Sequence, residues 1–130
     1  MTGAYVRESN GRLILVHPIH IESSTGTSDV FDAIIDTGFT GHIAMPVTQC
    51  LALGLELGRK TFTMFGNASI EELDLYLANV YWDGCWRQVP VIATGTVVLI
   101  GMNMLRGSSV CFDSVDMGAI EIEPLKSTIE

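Results

Sequence analysis

With 130 residues and 14.1 kDa the chain has the usual size of one domain, and residues 1–130 read as a single unit. Apolar residues at 48% support a globular core, whereas fifteen acidic against seven basic residues leave a net charge of −8 and a pI near 4.6. That balance argues against nucleic acid as a partner, since phosphate binding needs clustered Lys and Arg.

Short β-type runs separated by turn residues dominate the chain. Leu13 to Val16 with Ile19 and Ile21 reads as a first strand, and Pro18 suggests an edge or a bend. The polar stretch Glu22 to Ser28 reads as a hairpin loop, followed by a buried strand from Val30 to Ile35 that stops at Asp36-Thr37-Gly38. Ile43 to Met45 is a further short strand. Pro46 then opens a helix at its first position, with Gly54 just past the end. Arg59 to Phe65 and Ile70 to Trp82 flank Gly66-Asn67-Ala68 as a hairpin. The second arm also fits a helix through Leu73, Tyr76, Leu77 and Val80. The Asp83-Gly84 pair, with apolar residues resuming at Trp86, Val89 and Val91, decides for strands on both sides of a tight turn. Val97 to Ile100 is an apolar strand into Gly101. A short helix through Met104 and Leu105 ends at Gly107, and strands at Val110 to Phe112 and Ala119 to Ile122 complete the pattern. About nine short strands and two short helices predict an all-β barrel or sandwich.

Three cysteines, Cys50, Cys85 and Cys111, show no paired spacing. They predict reduced, mostly buried thiols in a cytoplasmic protein rather than a disulfide framework or a four-cysteine zinc site. The first residues lack a basic-then-apolar leader, and the longest apolar run, Val97 to Ile100, is too short for a membrane span. No membrane partner is expected. His17-Pro18-Ile19-His20 lacks neighbouring carboxylates or cysteines and reads as two surface histidines on an edge strand. Met102, Met104 and Leu105 read as core filler rather than a cofactor box, so no metal and no cofactor is expected. Glu71, Glu72 and Asp74 read as a solvated strand face. Asn67-Ala68-Ser69 matches a glycosylation sequon by chance.

The stretch Ile35-Asp36-Thr37-Gly38-Phe39-Thr40-Gly41 carries the chemistry. A carboxylate directly after a buried apolar strand is costly unless it is solvated or used. Gly38 lets the backbone turn sharply and a partner approach, and the Thr37 hydroxyl can fix the turn. Such a carboxylate suits a general base; the same three residues also suit a plain turn. Some sixty residues on, Val97 to Asn103 is a second apolar strand ending in glycine, and a hairpin with a glycine-bearing tip lies between the two.

In these segments, in the Pro46 helix, in Trp82-Asp83-Gly84 and in Leu99-Ile100-Gly101-Met102-Asn103-Met104-Leu105-Arg106-Gly107, the sequence resembles single-domain, retropepsin-like aspartic proteases. Within them it is similar to the prokaryotic group that carries Asp-Thr-Gly-Phe. The likeness runs from about Val30 to Asp113. It implies a closed acid-protease barrel with one or two short helices, each chain being half of a twofold dimer. Proteolysis of this type needs two carboxylates sharing one proton, and the chain has one Asp-Thr-Gly, so the second aspartate must come from an identical copy.

The resemblance assigns Asp36 as the catalytic carboxylate, Thr37 as a bond across the dimer axis, and Gly38 as the residue that lets loops and substrate approach. Ile100 and Gly101 would support the turn from behind. Phe65, Gly66 and Asn67 would form a flap over an extended peptide, with Phe39 also at the substrate. The implied function is an aspartic endopeptidase acting on peptides or unfolded proteins; the alternative is a non-enzymatic dimerisation or peptide-binding module on the same fold. Two departures stand out. Phe39 stands where retroviral enzymes have a small residue, Thr40, Gly41 and His42 follow in place of their acidic residues that grip substrate backbone, and Met102 stands where those have an arginine.

Overall fold

The computed structural model describes residues 3–64 and 67–126. The expected all-β architecture with two short helices is what the chain adopts. The strands are β1 (Tyr5–Ser9), β2 (Arg12–Glu22), β3 (Ser28–Ile35), β4 (Ile43–Met45), β5 (Glu56–Met64), β6 (Ile70–Trp82), β7 (Cys85–Ala93), β8 (Leu99–Ile100), β9 (Ser108–Phe112) and β10 (Ile120–Pro124). The helices are α1 (Val47–Leu53) and α2 (Met102–Leu105).

Eight strands form one sheet in the order β1-β2-β3-β8-β4-β7-β6-β5, and β2 also pairs with β6. That extra pairing, Ile21 with Val80 and Glu22 with Asn79, closes β2, β3, β8, β4, β7 and β6 into a ring. Closure leaves only β1 and β5 as outer edges of this sheet. Inside lie Ile19, Ile21, Ile43, Met45, Val80, Trp82, Val91 and Ile100, each 2% exposed or less. A separate β9–β10 hairpin packs beside β1, with Val6 N–H donating to the Gly118 carbonyl at 2.9 Å and Met117 N–H to that of Val6 at 2.7 Å.

Local sequence explains most boundaries. Asn10-Gly11 and Asp83-Gly84 both take positive φ at each residue (51° and 76°, 52° and 77°), as two-residue hairpin turns require. Pro46 sits one residue earlier than expected: it is the N-cap, with extended ψ, and the helix starts at Val47. Gly54 ends the helix in the left-handed conformation. Pro18 does not end β2, but it stands where the strand is locally an edge, as expected. It falls between the stretch paired with β1, which stops at Val16, and the stretch paired with β6, which starts at Ile21. At that point β3 is the one neighbouring strand, so the missing N–H of proline is tolerated.

Other expectations are corrected. The strand predicted over Val97 to Ile100 is paired only at Leu99 and Ile100. His17 is not a surface residue: it is 5% exposed and stacked on Trp82, ring centroids 5.5 Å apart. Met102 is 46% exposed rather than core, while Met104 and Leu105 are buried. Cys50 is buried, but Cys85 and Cys111 are exposed; all three are free thiols. Glu71 and Glu72 project to opposite faces of the β5–β6 hairpin, as neighbours on a strand must, and both are exposed. Among the described residues no helix is long and apolar enough to cross a membrane.

Candidate active site

β3 delivers Asp36 to the rim of the ring. Ile35 points inward and is 6% exposed, so the next residue faces out, and Asp36 is half-buried. Its N–H donates to the Ile100 carbonyl at 2.9 Å, extending the parallel β3–β8 ladder by one bond. The chain then turns. Gly38 N–H donates to Asp36 Oδ1 at 2.9 Å, and Phe39 N–H donates to the Asp36 carbonyl at 3.1 Å. Backbone and side chain of Asp36 thus both tie the turn, while Oδ2 has no hydrogen-bond partner among the described residues. Thr37 and Gly38 are exposed beside it. An outward carboxylate held by one amide and otherwise open can accept a proton from, or donate one to, a bound molecule.

The turn is braced from below by an inserted strand. β8 lies between β3 and β4, which are consecutive in sequence, so residues 36–42 must arch over the β8–α2 junction. Three backbone bonds stitch the arch down: Gly101 N–H to the His42 carbonyl at 2.9 Å, Met102 N–H to that of Phe39 at 2.8 Å, and Asn103 N–H to that of Gly41 at 3.1 Å. A Cβ on Gly101 would overlap the Gly41 carbonyl oxygen and lie 2.6 Å from Phe39 Cδ2. Gly101 has φ −99° and ψ 177°, ordinary extended backbone, so glycine is needed there for space and not for conformation. The Phe39 ring also occupies the place of a Cβ on Gly41, 2.6 Å from Cζ. The ring therefore lies over two glycines.

A groove of about 400 Å³ opens beside the turn, lined by Thr37 together with Leu15, Ile35, Met102, Leu105 and Phe112 among others. Its walls are mostly apolar, and Met102 and Phe112 are 46% and 44% exposed. Arg106 stands at the same groove and donates to Asn103 Oδ1 at 3.1 Å. Burial, and then the Arg106 charge, push His42 below its ordinary pKa. His42 has no hydrogen bond or ion pair to Asp36 among the described residues.

No protein-family model and no curated protein matches the chain. Among solved structures it is similar to the solution structure of Simian Foamy Virus (mac) protease. The identity is 14%, the TM-score 0.47, and the match spans 68% of this chain and 91% of that one.

Asp36, Thr37, Gly38 and Phe39 come together with Ile100 and Gly101 in one hydrogen-bonded unit. Of the predicted flap residues only Asn67 is described, and it does not join this unit. Phe65 and Gly66 lie outside the described residues. Asn67 is exposed, and its Oδ1 accepts from Ser69 N–H at 3.0 Å and from Ser69 Oγ–H at 2.6 Å, a local turn with no bond to the Asp36 loop. Farther down the hairpin, Lys60 and Glu72 form an exposed ion pair at 3.2 Å. Phe62 and Ile70 share a face near the tip and are 71% and 63% exposed, a pair that sequence reasoning did not single out. The signal was available: in an antiparallel hairpin Phe62 faces Glu72, and Ile70 lies two residues from Glu72 on the same side. Among the described residues no group of three His, Cys, Asp or Glu side chains is placed to hold a metal ion.

Proposed function

We propose that the chain is one subunit of a homodimeric aspartic endopeptidase acting on extended peptides or unfolded proteins. The carrying observation is the Asp36 carboxylate, fixed by Gly38 N–H at the rim while its second oxygen stays open. One such group is half of the required chemistry. With the partner subunit's Asp36 opposite it, the two carboxylates hold a single proton between them, because like charges at hydrogen-bonding distance resist ionising together.

The ionised carboxylate takes a proton from water as the water oxygen attacks the peptide carbonyl carbon. The protonated carboxyl gives its proton to the carbonyl oxygen. The tetrahedral intermediate then expels the amine, which leaves with a proton as the C–N bond breaks, and the dyad returns to its starting state. Thr37, exposed at the same rim, would bond to the partner's loop, and the apolar groove beside it suits apolar side chains.

The test is digestion of denatured casein between pH 4 and 7 by the wild-type chain and by Asp36→Asn, with sedimentation of both. The expected result is a dimer in each case and cleavage lost at least about a hundredfold in the variant. Cleavage that persists in the variant, or a wild-type chain monomeric at every concentration, overturns the proposal. A dimer that binds peptide without cutting it favours the non-enzymatic binding module.

A further inference from the structure

The larger of the two grooves described lies away from the Asp36 turn and shares no lining residue with the first. It measures about 560 Å³ and runs between β2, the β6–β7 turn and β10, within the range of ordinary ligand sites. Its apolar wall comes from Pro18, Val30, Ile122 and Pro124, and its carboxylates from Asp83 and Glu123. Among the described residues no lysine or arginine lines it. Arg87, which lies nearby on β7, pairs with the inward-facing Val80, off the face that Tyr81 and Trp86 share.

Aromatic rings edge the same groove. Trp86 meets His20 at 5.0 Å and Tyr81 at 5.3 Å, both edge to face, and His20 and Tyr81 also line the groove. Tyr81 and Trp86 are 47% and 44% exposed, so both rings keep surface that a ligand can reach. Asp32 stands on the same outward face as Pro18, its partner in register, but outside the groove lining. Asp83 is held in place by the tight turn it forms with Gly84.

An apolar wall, exposed rings and carboxylates, with no lysine or arginine among the described lining residues, match one kind of side chain. The apolar part accepts a methylene stem, the rings accept a flat cation, and each carboxylate accepts two parallel N–H bonds from a guanidinium. A chain of net charge −8 adds long-range attraction. We propose that this groove is a second binding site, for an arginine-bearing peptide segment of a partner protein. The inference is independent of the Asp36 chemistry, because its readout is binding at other residues.

The experiment is an amide NMR titration of the ¹⁵N-labelled chain at pH 7.5 with the capped peptide Gly-Ser-Arg-Arg-Ser-Gly, and with the same peptide carrying citrulline in place of arginine. Saturable shifts centred on β2, residues 83–84 and β10 are expected. Affinity should fall at least about fivefold for the citrulline peptide and for the double variant Asp83→Asn/Glu123→Gln. Asn-Gly keeps the tight turn, so the double variant should melt like the wild type. No saturable shift, shifts centred on residues 36–42, or equal affinity for citrulline or for the double variant would overturn the proposal.

Discussion

Gly101 and Gly41 stand so close that the first side-chain carbon on Gly101 would overlap the Gly41 carbonyl oxygen. The closeness follows from β8 passing beneath the arch of residues 36–42, and it ties the shape of the Asp36 turn to a residue far away in the chain. Gly101→Ala should lower the free energy of unfolding by about 1–3 kcal/mol through overpacking, since its backbone angles suit alanine. Urea unfolding measures it. An alanine variant as stable as the wild type would mean the arch is not held this tightly.

Asp36 contributes little to stability in its half-buried place. Its side chain makes one local hydrogen bond, from Gly38 N–H, which an asparagine oxygen also accepts. Asp36→Asn should change unfolding by no more than about 1 kcal/mol. Loss of cleavage with an unchanged denaturation curve separates chemistry from folding; a collapse in stability would show that the carboxylate is structural.

Trp82 is 1% exposed, and its indole N–H is buried with no hydrogen-bond partner among the described residues. Its value is therefore its volume and ring contacts. Trp82→Ala should cost about 3–5 kcal/mol, whereas Trp82→Phe, which gives up no hydrogen bond, should cost about 1–2 kcal/mol. Thermal or urea unfolding of the pair decides it, and equal losses would contradict this account.

Burial pushes His17 below its ordinary pKa of 6.5, against the opposing effect of the Pro18 carbonyl that accepts from its Nδ1–H at 2.5 Å. A lowered value means that the unfolded chain binds the proton first as pH falls. The stability from neutral His17 is thus whole above about pH 6.5 and is lost as pH drops through the lower, folded value. His42, lowered for the same first reason, acts in the same direction. Stability should decline between pH 7 and 5, and His17→Phe, which keeps an aromatic ring on Trp82, should flatten part of that slope. An unchanged slope in the variant would remove His17 from the explanation.

Thiol labelling checks the cysteines. Burial raises the Cys50 thiol to about 11, and its Sγ–H faces the Met45 carbonyl at 3.8 Å, while Cys85 and Cys111 are exposed. Iodoacetamide at pH 8 should add two adducts to the native chain and a third only after unfolding, as read by mass spectrometry. Rapid labelling of Cys50 in the native protein would show that the core around α1 opens.

Hairpins marked by local chemistry were readable along the chain. Asp83-Gly84 placed two strands correctly because both residues accept the positive φ the turn demands. Asn10-Gly11 carries the same local signal and joins β1 to β2. His17 misled: its neighbours Pro18 and His20 look like an exposed edge, but Trp82 on β6 covers its ring, and nothing within a few residues encodes that partner.

By itself the sequence determined where strands stop and turn, and that Asp36 follows a buried run at a glycine-assisted bend. Those properties depend on dihedral preference and on the cost of burying charge, which act over a few residues. Only the tertiary structure decided that β8 slips between β3 and β4, that Gly101 must be small because Gly41 lies against it, and that His20, Tyr81, Asp83 and Glu123 border one groove. Pairing between distant strands is chosen by the packing of the whole ring, and no short window of residues contains it.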